Sequence, residues 1–109
     1  MGKIDTYIAV DLDGTLAYTN QHVDMRFMIG LPIPKMVQRV QTWLAEGHTV
    51  KIFTARMSEN PDLWQQRIGS WCECYIVTWL EATNVKDFGC IALYDDIAIH
   101  VIENTGEIG

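Results

Sequence analysis

The sequence predicts an α/β fold in which a mainly parallel sheet is flanked by helices. Short apolar runs rich in β-branched residues alternate with segments whose apolar residues recur at helical spacing, and this alternation is typical of such a sheet. With 109 residues, 49% of them hydrophobic, the chain has the size of one domain. We therefore expect residues 1–109 to form a single domain.

The first half of the chain predicts one strand, one long loop and one helix. The apolar run 7–10 stops at Asp11, as expected of a short strand buried on both faces. From residue 14 to residue 33 the apolar residues keep no regular spacing, so this stretch is predicted to be a loop. A helix then begins at Pro34 and stops at Gly47, with an apolar face formed by Met36, Val37, Val40 and Leu44.

A second strand and a second helix follow. Residues 49–54 form an apolar, β-branched run that predicts the strand. The helix is expected to begin with Asn60 as its cap and Pro61 in its first turn. Its apolar face is predicted to consist of Trp64, Ile68, Trp71, Cys72 and Tyr75.

The last part of the chain predicts one certain strand and two weaker candidates. Residues 90–94 form an apolar run that ends at the pair Asp95-Asp96. Residues 81–86 fit either a short strand or a loop, and residues 100–102 are a candidate for a final strand.

Composition excludes several classes of protein. The formal net charge is −6, which argues against a domain that holds nucleic acid mainly by neutralising phosphates. The three cysteines, an odd number without zinc-ribbon spacing, are expected to be reduced thiols, which favours a cytoplasmic location. No segment approaches the ~18 apolar residues needed to cross a bilayer, so no membrane partner is expected.

Oxygen-bearing side chains follow three of the predicted strands. Asp11 and Asp13 follow the first strand, Thr54 the second, and Asp95 and Asp96 the strand at 90–94. Ligands of parallel sheets bind beyond the carboxyl ends of the strands, so we expect these groups to converge. Crowded carboxylates repel one another unless a cation neutralises them, and an all-oxygen donor set suits Mg²⁺.

This arrangement predicts transfer of a phosphoryl group. Asp11 is a candidate nucleophile, because a carboxylate can attack phosphorus, and Asp13 is a candidate general acid and base. Thr54 is expected to donate its hydroxyl to a phosphate oxygen. Lys86 is expected to supply positive charge to the transferring group. Gly14 permits a backbone turn close to the phosphate.

The order of these elements resembles the haloacid-dehalogenase-like (HAD) phosphohydrolases from Tyr7 to about Ile102. The motif Asp11-Leu12-Asp13-Gly14-Thr15 is the specific part of the likeness. The resemblance implies a Rossmann-like fold, an aspartyl-phosphate intermediate on Asp11, and acid–base chemistry by Asp13. It also implies Mg²⁺ ligation by the Asp11 carboxylate, the Asp13 backbone carbonyl, Asp95 and Asp96, with Thr54 and Lys86 on the phosphate.

The layout also resembles the phosphatase domain of polynucleotide kinases, where a nearby arginine follows the hydroxyl residue, as in Thr54-Ala55-Arg56. This likeness suggests Arg56 as a phosphate ligand and a nucleotide or nucleic-acid 3′-phosphate as substrate. The chain has no stretch long enough for the cap domain of larger family members. The loop 18–32 is the only candidate cover, and a lid, a dimer contact and plain packing remain open for it.

Other interpretations fit less well. An EF-hand is excluded, because position 12 of such a loop would be His22 instead of Glu. A phospho-accepting receiver domain has its acidic elements in the reverse order. A non-catalytic phosphate- or nucleotide-binding module on the same fold is the remaining alternative. Arg56 fits a substrate contact and a surface ion pair equally well.

Overall fold

The computed structural model describes residues 5–19 and 24–109 and contains a four-stranded, all-parallel sheet in the order β3-β2-β1-β4. This confirms the predicted α/β class, and residues 20–23 of the predicted loop lie outside the described residues. The elements in chain order are β1 (Tyr7–Asp11), α1 (Pro34–Ala45), β2 (Val50–Phe53), a short 3-10 helix (Ala55–Ser58), α2 (Pro61–Tyr75), β3 (Ala82–Thr83) and β4 (Cys90–Tyr94).

The register of the sheet brings the carboxyl ends of three strands to one edge. Val10 of β1 lies beside Ile52 of β2 on one side and Tyr94 of β4 on the other. Asp11, the last residue of β1, therefore stands level with the residues that directly follow β4. The central position of β1 follows from its sequence, because an apolar run without polar alternation suits a strand with neighbours on both sides.

Both helices pack against the same face of the sheet. Alternate residues of a strand point to opposite faces, and the core cluster contains Val10 and Ile52 but not Ala9. These two side chains cluster with Val40 of α1 and Ile68 of α2. The core therefore lies between one sheet face and the two helices.

The connection from β3 to β4, which contains no helix, contacts the opposite face of the sheet at Tyr7. The Tyr7 hydroxyl donates to Asp87 Oδ1 in this connection at 2.9 Å. Lys51 Nζ lies 4.4 Å from the centre of the Tyr7 ring, so the ammonium group shields the ring from water. Tyr7 is only 4% exposed as a result.

Both predicted helix starts are confirmed, and Asn60 stands at the predicted cap position of the second helix without making a capping hydrogen bond. Pro34 and Pro61 stand in the first turns of α1 and α2. Asn60 occupies the cap position with φ 47° and ψ 60°, and its side chain makes no capping bond. A capping side chain reaches the first turn from extended backbone, which the left-handed Asn60 does not adopt.

Two further expectations need correction. Residues 100–102 form no strand, because the chain turns back after Ile102 and leaves one antiparallel bridge between Val101 and Ile108. Tyr75 is 37% exposed and stacks on Trp71, whereas Ile76 is 3% exposed and belongs to the core cluster. For residues 81–86 the sequence fitted either a short strand or a loop, and the structure has a strand there that comprises only Ala82–Thr83.

The C-terminal end of the long loop is hydrogen-bonded to α2. Trp71 Nε1 donates to the Gly30 carbonyl at 3.0 Å in a buried hydrogen bond, and Ile29 packs against the core cluster. A Cβ atom at position 30 would lie 1.9 Å from the Tyr18 carbonyl oxygen, so this close approach requires glycine. Within residues 5–19 and 24–109, no helix combines the length and apolar character that crossing a membrane requires.

Candidate functional site

Three carboxylates meet at the carboxyl edge of the sheet. Asp11, Asp95 and Asp96 each place an oxygen within 4.8 Å of the others. Asp11 and Asp95 are partly buried, and Asp96 is exposed. We call these three residues the acidic cluster. Their convergence follows from the neighbouring positions of β1 and β4 in the sheet.

Thr15 joins two members of the acidic cluster. Its Oγ1 atom lies 3.2 Å from Asp11 Oδ2 and 3.1 Å from Asp96 Oδ1, and its hydroxyl hydrogen can serve either acceptor. No role of its own was predicted for Thr15 from the sequence. Its position four residues after Asp11, at the end of the Asp-x-Asp-Gly-Thr motif, was the only available signal.

A tight turn brings Thr15 into this place. The Leu12 carbonyl accepts hydrogen bonds from the amides of Thr15, Leu16 and Ala17 at 2.8 to 3.3 Å. Gly14 has φ +86°, a conformation that costs little only for glycine. A Cβ atom there would lie 2.8 Å from Asp96 Oδ2. Gly14 therefore serves both the turn and the close approach of Asp96.

Burial and mutual contacts shift the pKa values of two carboxyl groups in the acidic cluster. Burial, a hydrogen bond to Asp96 and the negative charge of Asp95 raise the pKa of Asp11 to about 7. The hydrogen bond from Asp11 lowers the pKa of Asp96. Asp11 therefore keeps its proton to a higher pH than an ordinary carboxyl group does, in a hydrogen bond with Asp96. A cation bound by these oxygens would replace that proton, because it would offset the same repulsion.

Asp13 lies apart from the acidic cluster and pairs with Arg56. Its Oδ2 accepts from Nε and its Oδ1 from Nη2, both at 2.8 Å. The side chains of Arg56 and Asp13 are only 7% and 18% exposed. Of the four carboxylates predicted to converge, the structure thus brings three together, and the fourth carboxylate occupies a buried ion pair. The metal contact expected of Asp13 concerned its backbone carbonyl, which this pairing leaves unused.

Arg56 is held on three sides. Its guanidinium lies 4.5 Å from the centre of the Trp64 ring, and its Nη2 donates to Met25 Sδ at 3.6 Å. Its backbone amide donates to Thr54 Oγ1 at 3.2 Å. Of the two roles considered for Arg56, the ion pair is present, but it is buried instead of facing solvent.

Thr54 lies one residue beyond β2 at the same edge of the sheet. It is 2% exposed, and its amide donates to the Thr83 carbonyl at 2.9 Å. The bond from Arg56 uses a lone pair of the hydroxyl oxygen, which leaves the O–H group able to donate. Thr54 therefore caps the 3-10 helix while retaining the donor that a phosphate oxygen needs.

Lys86 lies in the connection between β3 and β4 and is exposed. Among the residues that the structure describes it forms no ion pair. It lines, together with Asp95, a groove of about 580 Å³ whose other walls come from β4 and residues 98–101. Lys86 therefore borders the same groove as Asp95, but among the described residues no hydrogen bond or ion pair joins it to the acidic cluster.

The thiols take no part in this site. Burial raises the pKa of Cys72 to about 12, so this thiol stays protonated and unreactive at neutral pH. Cys74 and Cys90 are free as well. Comparison with known proteins finds no matching family model, no matching curated protein and no matching solved structure.

Proposed function

We propose that this protein is a Mg²⁺-dependent phosphate monoester hydrolase of the HAD type, without a cap domain. The observation that carries the proposal is the convergence of Asp11, Asp95 and Asp96, with oxygens within 4.8 Å of one another, at the carboxyl edge of a parallel sheet. The same edge carries Thr54, and Lys86 lines the same groove as Asp95. A Rossmann-like arrangement with the nucleophile on the central strand is part of this proposal.

The donor set fits Mg²⁺. All three groups are carboxylates, which are hard oxygen ligands, and one is exposed enough for water and substrate oxygens to complete the coordination. When bound, the ion neutralises negative charge on the carboxylates and on the phosphate that approaches them. Burial, the hydrogen bond to Asp96 and the charge of Asp95 raise the pKa of Asp11, and a bound cation would favour its ionised form.

The chain's own residues then divide the reaction into two steps. In the first, an Asp11 carboxylate oxygen attacks phosphorus, the bond from phosphorus to the leaving oxygen breaks, and Asp13 gives that oxygen a proton. Asp13 can carry this proton only when one of its two hydrogen bonds from Arg56 opens and the freed oxygen is protonated from water. In the second, Asp13 takes a proton from a water molecule, whose oxygen attacks phosphorus and releases inorganic phosphate and the Asp11 carboxylate. Thr54 and Lys86 hold the phosphate oxygens during both steps.

The direct test is release of inorganic phosphate by the full chain with excess Mg²⁺. The panel should contain an aryl phosphate, nucleotides, sugar phosphates and 3′-phosphorylated oligonucleotides. We expect turnover that is lost on chelation and in Asp11→Asn, and retained in the matched control Asp24→Asn, which changes an exposed carboxylate outside the acidic cluster. Full activity in Asp11→Asn contradicts the proposal. Binding of phosphate compounds without turnover supports a binding module instead.

The substrate class is the finer part of the proposal. An open site without a cap can admit the end of a large molecule, so we propose a nucleotide or a nucleic-acid 3′-phosphate as the substrate. The three reduced cysteines fit a cytoplasmic enzyme. A kcat/KM for 3′-phosphorylated oligonucleotides less than tenfold above that for sugar phosphates, a difference of about 1.4 kcal/mol, contradicts this assignment.

A further inference from the structure

A groove of about 410 Å³ runs along the exposed face of α1. Its walls are side chains from three successive turns of the helix: Lys35, Gln38, Arg39, Thr42 and Trp43. Residues three and four apart lie side by side on a helix, so these five form one continuous stripe. We call this stripe the α1 groove. It offers two cations, an amide, a hydroxyl and an indole, and none of its walls is a carboxylate.

The positive charge of the α1 groove is not neutralised by any neighbour that the structure describes. Lys35 and Arg39 are exposed, and among residues 5–19 and 24–109 neither forms an ion pair. Arg39 Nη1 donates to Met36 Sδ at 3.5 Å, and a thioether is a weak acceptor. Helix α1 contains no acidic residue, although acidic residues outnumber basic ones by 14 to 8 in the chain. Both cations are therefore available to an anionic ligand.

Two contacts place the α1 groove beside the elements that carry the acidic cluster. At the start of α1, the Ile33 amide donates to the Leu16 carbonyl at 2.8 Å, in the turn that follows β1. Farther along the helix, the centre of the Trp43 ring lies 4.6 Å from the centre of the Tyr94 ring. Tyr94 is the last residue of β4 and directly precedes Asp95. A substrate bound at the acidic cluster therefore has the α1 groove next to it.

The spacing of the groups suits a chain with repeated negative charges better than a single anion. Lys35 and Arg39 are about one helical turn apart, and the stripe from Lys35 to Trp43 spans about 12 Å. A stacked nucleic-acid strand carries one phosphate per about 3.4 Å of its axis, so about three nucleotides match this length. Proteins that bind single strands combine such cations with aromatic rings on which bases stack, and Trp43 is partly exposed.

We propose that the α1 groove binds about three nucleotides of a single strand whose 3′-phosphate lies at the acidic cluster. Lys35 and Arg39 contact two phosphodiesters, and Trp43 stacks on a base. This inference rests on the proposed function and adds to it the surface that recognises the rest of the substrate. It agrees with the net charge of −6, because two phosphate contacts need no basic excess over the whole chain.

The first test measures binding apart from turnover. The full chain is titrated into a 5′-fluorescein-labelled thymidine tetranucleotide with a 3′-hydroxyl, at fixed Mg²⁺ and increasing KCl, and the binding constant is taken from fluorescence anisotropy. Each phosphate contact on a single strand contributes about 0.7 to the slope of log K against log salt. We expect Lys35→Gln and Arg39→Gln each to reduce the slope by about 0.7 and to weaken binding severalfold.

The matched control for binding is Arg67→Gln, which removes one exposed guanidinium from α2. This variant should leave the slope and the affinity unchanged. Absence of binding by the parent chain overturns the inference. So does a slope that neither Lys35→Gln nor Arg39→Gln alters, or one that Arg67→Gln alters equally.

The second test compares kcat/KM for 3′-phosphorylated thymidine oligonucleotides of one to six nucleotides under excess Mg²⁺. We expect a rise of at least tenfold up to about four nucleotides, mainly through a lower KM, and no rise beyond. Arg39→Gln should flatten this dependence on length, and Arg67→Gln should preserve it. Equal values at all lengths overturn the inference and leave the proposed function standing. If no phosphate compound is hydrolysed, the proposed function fails, and the anisotropy titration alone decides for or against the α1 groove.

Discussion

Asp13 and Arg56, 43 residues apart in the chain, are joined by two hydrogen bonds of 2.8 Å each. The pair connects the turn after β1 with the 3-10 helix after β2. Since both side chains are largely buried, neither charge is compensated by water. The pair therefore fixes the position of the proposed general acid.

We predict that Arg56→Gln destabilises the fold substantially. The substitution leaves the Asp13 carboxylate partly buried without its partner, which typically costs 3–5 kcal/mol in a fully buried pair. Because Asp13 remains 18% exposed, we expect a loss of about 2–4 kcal/mol in the free energy of unfolding, measured by urea denaturation.

A matched control is available in the same chain. Arg26 also pairs with an aspartate, Asp24, but the side chain of Arg26 is 80% exposed. Arg26→Gln should therefore leave the free energy of unfolding nearly unchanged, because water and salt screen an exposed pair. The double variant Asp13→Asn/Arg56→Gln should regain part of the loss, and a cost that is simply additive would argue against a coupled pair.

The backbone around this pair could be predicted from the sequence more readily than the pair itself. β1 was predictable because it is apolar throughout, and both helices because a proline stands in each first turn. The edge at which Asp11 meets Asp95 and Asp96 followed from strand order alone, since parallel strands end together.

The sequence could not place the Asp13 side chain. Asp11 and Asp13 are two residues apart, which would put them on one face of an extended strand. The strand ends at Asp11, however, and the turn anchored on the Leu12 carbonyl sends Asp13 toward Arg56. Spacing carries no information about such a turn or about a partner 43 residues away. The sequence placed Asn60 at the cap position of α2, but it could not show that the left-handed backbone there prevents a capping hydrogen bond, because the pattern does not report backbone angles.

The acidic cluster is predicted to weaken the fold as pH rises when no divalent ion is present. The pKa of Asp11 is raised from 3.8 to about 7 in the folded chain. Between these values the folded state holds a proton that the unfolded state has lost, so the free energy of unfolding falls with increasing pH and the penalty is complete above pH 7. After allowance for solvent screening of this half-exposed carboxyl, we expect a penalty of about 1–2 kcal/mol.

Asp11→Asn removes this penalty. With a chelator present, the variant should be more stable than the parent chain at pH 8 and about equally stable at pH 4, as followed by thermal unfolding at both values. The lowered pKa of Asp96 acts in the opposite direction and reduces the difference. A variant that is less stable than the parent at pH 8 would contradict the predicted repulsion at Asp11.

Mg²⁺ is predicted to stabilise the folded chain through the acidic cluster. A ligand that binds only the folded state at one hundred times its Kd adds about 2.7 kcal/mol to the free energy of unfolding. We expect a Tm that rises with Mg²⁺ concentration at pH 8. The response should be much reduced in Asp95→Asn and in Asp11→Asn. Glu103→Gln, an exposed change outside the acidic cluster, should leave it intact. An equal response in all four proteins would indicate a general salt effect.

Gly14→Ala is predicted to affect the acidic cluster more than its backbone strain alone explains. The added Cβ would lie 2.8 Å from Asp96 Oδ2, so the Asp96 carboxylate has to move away from Asp11 and Thr15. A residue other than glycine at φ +86° also costs about 1–2 kcal/mol.

The matched control is Gly47→Ala, because Gly47 has φ +90° and a Cβ there meets nothing within 4 Å. Both variants should lose similar backbone stability in thermal unfolding with a chelator. Only Gly14→Ala should also lose the rise of Tm with Mg²⁺ and most of the phosphatase activity. Loss of the Mg²⁺ response in both variants, or in neither, would show that the spacing between Gly14 and Asp96 does not control the cluster.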